Sequence, residues 1–247
     1  MLELYYWPTP NGKKVTILLE ELGVAHEIKP VNIGRGDQFD AEFLKFSPNN
    51  RMPALVDTAP KSGGAPVRIF ESGAIMMYVA EKEGRFFPQE THKKYEVIQW
   101  VMWQMGNQGP KFGEQGHFFR ASQNADNGDL RYAVTRFSDE VHRLYGVMNL
   151  GLHGKDWLAA GEYTIADMIC YPWAAGYKLR KIDLEEFPNV KRWMERLEAR
   201  PAVKTAMEAT LPPSAVEDAS TLPDEEKARR AKLLVNQRAT KIPASWS

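Results

Sequence analysis

The first third of the chain alternates short apolar runs with one helical stripe, whereas helical stripes alone fill most of the remainder. Residues 2–7 are apolar and aromatic-rich and predict a strand. Pro8-Thr9-Pro10-Asn11-Gly12 breaks it. Val15, Leu18, Leu19 and Leu22 then recur at helical spacing, with Lys13, Lys14, Glu20 and Glu21 between them, and Gly23 marks the stop. Residues 26–33 predict a second strand. Strand, helix, strand implies a parallel pair joined by a crossover helix. Phe39, Phe43, Leu44 and Phe46 predict a short helix closed by Ser47-Pro48-Asn49-Asn50. Residues 54–57 and 67–70 predict two further strands, connected through Gly63-Gly64, and a helix follows from Ser72 to about Glu83.

Beyond a proline-containing linker the pattern changes. Tyr95, Ile98, Met102 and Met105 form one helical stripe, interrupted by Gly106-Asn107-Gln108-Gly109-Pro110. Residues 115–129 are polar and glycine-containing and read as a loop. Val134, Phe137, Val141, Leu144, Tyr145 and Met148 form a second stripe; such stripes serve the core. Thr164-Ile165-Ala166-Asp167 is a capping box opening a third helix, in which Pro172 predicts a kink or break. Phe187-Pro188-Asn189-Val190 starts another helix, with Val190, Trp193, Met194 and Leu197 on one face, ending near Arg200-Pro201. No strand pattern follows Phe70. The fold class is therefore α+β: the order βαβ–α–ββα of a thioredoxin-like domain (residues 1–84), a linker (85–92), an all-α C-terminal domain (93–208) and an extension (209–247). Within the extension, Pro212-Pro213 reads as linker, residues 224–237 as a charged helix, and Ile242-Pro243 and Trp246 as apolar enough to dock. No internal repeat is visible.

Composition narrows the class. The 247 residues are 43% hydrophobic and 26% charged, as in ordinary globular proteins, and the formal net charge of zero gives no global field toward nucleic acid or anionic membrane. No apolar run is long enough to span a bilayer, and Met1-Leu2-Glu3-Leu4-Tyr5 lacks a signal-peptide pattern, so a reducing, cytoplasmic setting is the default expectation. The one cysteine, Cys170, lies in an apolar helical stretch and reads as a buried structural thiol. The five histidines show no metal-ligand spacing, and no metal is expected. Gly34-Arg35-Gly36 follows a strand, but Phe39 stands where a dinucleotide loop needs its third glycine, and the strand is the second one; that reading is rejected.

Candidate chemistry concentrates at Asn50-Arg51-Met52-Pro53 and Phe70-Glu71-Ser72-Gly73. A helix start at Ser72 presents backbone N–H groups and a positive dipole end to an anion, while Glu71 suits a cation. Together they would hold the carboxylate and ammonium of an α-amino acid end. Met52, before Pro53, can offer its backbone to a peptide ligand as an added strand does. Singly, a serine before a helix is a cap and X-Pro before a strand is a turn; the specific signal is the combination. In the loop after the first strand, Thr9 and Asn11 either cap the first helix or, where a ligand sulfur faces this loop as the resemblance below implies, hydrogen-bond its thiolate and lower its pKa. Tyr5 and Tyr6 are a disfavoured alternative, and a covalent protein–ligand disulfide at this loop is excluded because it holds no cysteine.

Met-Pro, strand, hairpin, strand, Glu-Ser, helix resembles the glutathione-binding half of the glutathione transferases. Residues 8–13, 47–53 and 70–75, with Trp103-Gln104, resemble the Nu class of that family, related to the fungal nitrogen-regulator transferase homologue; the likeness runs from residue 2 to about 208. The resemblance implies a cis bond before Pro53 and a homodimer that binds reduced or oxidised glutathione. It implies reduction of small disulfides without a catalytic cysteine. It places Thr9 and Asn11 at the sulfur as the catalytic pair. It gives Gln38 the glycyl end, Met52 and Pro53 the cysteinyl backbone, and Glu71 and Ser72 the γ-glutamyl end. Arg136 matches an arginine that reaches across the dimer, its alternative being a solvated helix charge. A conjugating transferase or peroxidase, and a non-catalytic glutathione-binding regulatory protein, are the competing expectations.

Overall fold

Four strands form one mixed sheet in the order β2-β1-β3-β4 in a computed structural model that describes residues 1–209, 211, 215 and 222–233. β1 (Leu2–Tyr6) runs parallel to β2 (His26–Pro30) and antiparallel to β3 (Ala54–Asp57), which pairs antiparallel with β4 (Val67–Phe70). The chain divides into two compact units. The first holds residues 1–12 and 25–75 and the described residues from 209 onward; the second holds 13–24 and 76–208.

In β1, Leu2, Leu4 and Tyr6 are buried while Glu3 and Tyr5 alternate with them, as the pleat requires. All four residues of β3 are buried, in keeping with an inner strand. Tyr5 and Trp7 pack against a cluster of Val31, Phe43, Met52 and Ala54, and the Tyr5 ring sits 4.7 Å from that of Phe46. β2 ends at Pro30, short of the expected Ile33. The Val31 amide still donates to the Tyr6 carbonyl at 2.9 Å, but the Asn32 side chain then accepts the Gly34 and Arg35 amides at 3.0 and 3.1 Å and turns the chain. The short helix around Phe39–Phe46 is a 3₁₀ turn (Asp37–Phe39) followed by α2 (Ala41–Leu44). α1 (Pro10–Leu22) ends before Gly23, whose φ of 66° only glycine adopts easily, and α3 spans Ser72–Glu83.

The second unit is helical: α4 (Thr91–Trp103), α5 (Gly109–Ala121), α6 (Arg131–Gly151), α7 (Ile165–Ala174), α8 (Pro188–Glu198) and α9 (Pro201–Glu208). Two expectations are corrected here. The Gly106–Pro110 segment does not interrupt the helix: a π turn, Gln104–Gln108, carries the backbone from α4 into α5, and Pro110 falls in the first turn of α5, directly after it. Residues 115–121 are helical, and the loop starts only at Ser122. Packing outweighs the glycines' poor propensity. A Cβ on Gly109 would lie 3.0 Å from Gln104 Nε2, and one on Gly113 3.6 Å from the Trp173 ring; Phe112 stacks on Tyr145 at 5.3 Å and Phe118 on Phe137 at 5.4 Å. α7 runs through Pro172 to Ala174. In the extension, α10 spans Asp224–Ala231; the rest of the expected 224–237 helix beyond Leu233, and Ile242, Pro243 and Trp246, lie outside the described residues.

Asp167 closes the expected capping box and does more. One carboxylate oxygen accepts from the Thr164 amide at 3.1 Å, and the other from the Leu158 amide and the Trp193 indole, each at 2.9 Å. Burial pushes its carboxyl up to about 6, against the pull of these donors. Asp167→Ala should destabilise the protein by about 3 kcal/mol, because three buried donors lose their acceptor; urea unfolding followed by tryptophan fluorescence will measure it.

Candidate functional site

The strand register gathers four loops at one end of the sheet. Tyr5 lies opposite Ala54, Ala54 opposite Phe70, and Tyr6 beside Pro30. The loop after β1 (7–9), the Met52-Pro53 approach to β3, the Glu71-Ser72 exit from β4 and the 31–38 loop after β2 therefore open together. Thr9, Gln38, Met52, Pro53, Glu71 and Ser72 stand on these segments, and Asn11 in the first turn of the helix that follows the first of them.

Thr9 is the N-cap of α1 in geometry, with Pro10 at the first helical position. Its hydroxyl oxygen accepts from the Gly12 amide at 3.3 Å, while its O–H is directed at the Met52 sulfur 3.5 Å away. The oxygen thus caps α1, and the hydroxyl proton rests on the buried Met52 side chain. Asn11, half-buried, occupies the first turn of α1, at the positive end of its dipole. Gly12 is required by space: a Cβ there would lie 2.3 Å from the Trp7 carbonyl oxygen and 2.7 Å from the Tyr6 ring. Burial pushes the Tyr6 phenol up to about 12, and its hydroxyl has no hydrogen-bond partner among the described residues. The Tyr5 ring is packed among Phe43 and Phe46. Neither phenol is set up as a base.

The Met52-Pro53 bond is cis, and both residues are buried. The preceding loop is held by the Ser47 hydroxyl, which donates to the Arg51 carbonyl at 2.8 Å, and by the Asn50 amide donating to the Ser47 carbonyl at 3.0 Å. Asn50 takes a left-handed φ of 45°. Glu71 also sits in the left-handed region, at φ 73°, a conformation that costs a side-chain-bearing residue roughly 1–2 kcal/mol. Its carbonyl accepts the Ile75 amide at 3.0 Å, making Glu71 the residue that starts α3, and Ser72 at the first helical position is buried. The Glu71 carboxylate is exposed and accepts from Asn49 Nδ2 at 3.3 Å. Sequence reading took Asn49 only as part of a helix-closing turn; its contact with Glu71 spans 22 positions, and no local pattern announces it.

Gln38 is 2% exposed and turned onto its own loop, its amide nitrogen donating to the Ile33 carbonyl at 3.3 Å. Its carbonyl oxygen is buried without a partner among the described residues. Arg136 belongs to the second unit, in α6, where it is 59% exposed and lies 3.8 Å from Glu140. Cys170 is fully buried in α7, and burial, with Asp167 nearby, pushes its thiol well up. Among the described residues no three His, Cys, Asp or Glu side chains gather as a metal site would require, and no helix is long and apolar enough to cross a membrane.

The glutathione S-transferase N-terminal domain matches residues 1–81, and the corresponding C-terminal domain matches residues 131–201. The disulfide-bond oxidoreductase YfcG of Escherichia coli K12 is 44% identical over 207 residues, spanning 84% of this chain and 94% of that protein. A glutathione transferase family member from Pseudomonas fluorescens, solved with two glutathiones bound, is 40% identical with a TM-score of 0.76, covering 84% of this chain and 92% of that one. A Pseudomonas putida glutathione transferase, solved with one glutathione disulfide per subunit, is 38% identical with a TM-score of 0.75, covering 84% and 90%.

Gly12→Ala should cost about 1–3 kcal/mol, the range for overpacking a filled site, because the new methyl meets backbone and a buried ring. A lowered midpoint of thermal unfolding, together with a changed near-ultraviolet signal from Tyr6 and Trp7, checks it.

Proposed function

Because the chain belongs to the glutathione S-transferase family, we propose that it is a glutathione-dependent disulfide-bond oxidoreductase that works without a cysteine of its own. The observation that carries this reading is the gathering of Thr9, Met52, Glu71 and Ser72 at one end of the sheet, in a chain whose one cysteine is buried. The overall chemistry is thiol–disulfide exchange: two glutathione thiols are oxidised to one glutathione disulfide while a substrate disulfide is reduced to two thiols. The chain's part is to bind, orient and stabilise charge. Thr9 and Asn11 donate to the reacting sulfur and favour its thiolate form. Glu71 takes the γ-glutamyl ammonium, and the Ser72 end of α3 takes the adjoining carboxylate. Met52 and Pro53 align the cysteinyl backbone, and Gln38 meets the glycyl end.

The domains on this reading are 1–84 for glutathione, a linker at 85–92, an all-helical domain at 93–208 and an extension at 209–247. Tyr95 and Met102, two turns apart on α4, are exposed and not in the core as their stripe predicts, and with Tyr132 at the start of α6 they support a homodimer, across which Arg136 would reach the partner's ligand. A chemistry that consumes reduced glutathione suits the reducing cytoplasm.

Reduction of 2-hydroxyethyl disulfide by glutathione, coupled to glutathione reductase, tests the reading against chlorodinitrobenzene conjugation run in parallel. Disulfide turnover should dominate. The reverse ratio would make the protein a conjugating transferase, and binding without either activity would make it a regulatory glutathione binder. Asn11→Ala should lower kcat for disulfide reduction by about a hundredfold, as loss of one charge-stabilising donor does, with glutathione affinity within about twofold. Glu71→Ala should weaken glutathione binding by roughly tenfold, as read by calorimetry.

A further inference from the structure

The loop that carries Gln38 is gripped by the far end of the chain. Residues 35–37 form a tight knot: the amides of Arg35, Gly36 and Asp37 all donate to the Asn32 carbonyl, at 3.1, 3.1 and 3.2 Å. The Asp37 carboxylate accepts from the Asn32 amide at 3.0 Å and from Arg35 at 2.7 and 2.8 Å. Each of these three loop residues is met by a residue at the end of α10. Arg229 donates to the Arg35 carbonyl at 3.4 Å. The Leu233 side chain lies 3.4 Å from where a Cβ on Gly36 would stand, and Gly36 has a φ of 101°. Arg230 places its charge near Asp37, whose carboxyl burial would raise but whose bonds to Arg35 and Asn32, with the charges of Arg35 and Arg230, hold below the usual range.

Both arginines are themselves pre-aimed. Glu226, one turn back on α10, accepts from Arg229 at 2.6 and 2.7 Å and from Arg230 at 2.6 Å. The Arg230 side chain is only 16% exposed. Gly36 is the N-cap of the 3₁₀ turn Asp37–Phe39, at the centre of which stands Gln38. The C-terminal family match ends at residue 201, and α10 lies beyond it.

We propose that α10 is a clamp on the glycyl-end loop. Arg229, Arg230 and Leu233 are positioning residues that fix residues 35–37, and through them the aim of Gln38, so that the C-terminal extension sets part of the affinity for glutathione. This rests on the reading of Gln38 as the glycyl-end contact. A loop already ordered in the free protein does not have to be ordered by the ligand, so the clamp acts on binding and leaves the chemistry at Thr9 and Asn11 alone.

The test uses the full-length chain carrying Arg229→Ala, Arg230→Ala and Leu233→Ala together. The dissociation constant for glutathione, by calorimetry, should rise about five- to tenfold, with KM for glutathione following it and kcat at saturation within about twofold. Hydrogen exchange at the amides of residues 35–38 in the ligand-free protein should speed up. Arg230→Lys, which keeps the charge, should restore most of the affinity lost in Arg230→Ala. Gln38→Ala should weaken binding by itself, and the triple substitution added to it should weaken binding little further. If Gln38→Ala leaves affinity unchanged, the underlying assignment of the glycyl end fails. If Gln38→Ala weakens binding but the triple variant binds normally, or if the two effects simply add, the clamp fails while that assignment stands.

Discussion

The antiparallel register of β3 between β1 and β4 is the constraint on which the candidate site depends. With Tyr5 opposite Ala54 and Ala54 opposite Phe70, the end of one strand, the start of the next and the end of the third fall in one row. A slip of a single residue would turn every side chain of β3 to the other face and separate Thr9 from Met52. The register is held at both ends. At the far end, Asp57 is fully buried, accepts the Ala59 amide at 3.0 Å and lies 4.0 Å from the chain's amino group. At the loop end, Met52 and Ala54 join Val31 and Phe43 in the cluster that Tyr5 and Trp7 cover.

Much of this was legible in the sequence because it is local. An apolar, aromatic-rich run gave β1, the Gly23 stop gave the end of α1, and the Thr164–Asp167 spacing gave a cap. What was not legible depends on distant partners. The polar, glycine-bearing residues 115–121 are helix, and their Phe118 stacks on Phe137 of α6, a distant partner that no local pattern announces. The π turn at Gln104–Gln108 leaves no hydrophobic signature. Within the site, the residue types at Thr9, Asn11, Met52, Glu71 and Ser72 could be read from motif and spacing. The inward turn of Gln38 and the support of Glu71 by Asn49 could not, because both are decided by loop conformation.

The chemistry of Thr9 follows from what its oxygen already does. A hydroxyl that accepts the Gly12 amide has committed a lone pair to the helix, which leaves its proton to be given away. That proton rests against the Met52 thioether, a weak acceptor, and on the proposed reading a ligand thiolate within reach would compete for it. The remaining candidates for thiol activation are closed off: Tyr6 by burial that raises its phenol, Cys170 by burial in α7. On the proposed reading, such a site would lower a ligand's thiol pKa by donation and leave every sulfur of the exchange to the substrates.

The two ends of the ligand would meet different kinds of preparation. At the γ-glutamyl end the backbone is strained in advance: Glu71 is held left-handed by the first turn of α3, and its carboxylate is turned by Asn49. Strain of this kind persists only where the surroundings over-determine it, which suits an anchor that must not move as sulfur chemistry proceeds. At the glycyl end the preparation is incomplete, because the buried Gln38 carbonyl oxygen lacks a partner among the described residues, at a cost of about 1–3 kcal/mol. Among the described residues, Arg229, Leu233 and Arg230 meet residues 35, 36 and 37 from beyond residue 201. On the proposed assignments, rigidity at one end of the ligand would come from a strand-to-helix turn, and at the other from the C-terminal extension.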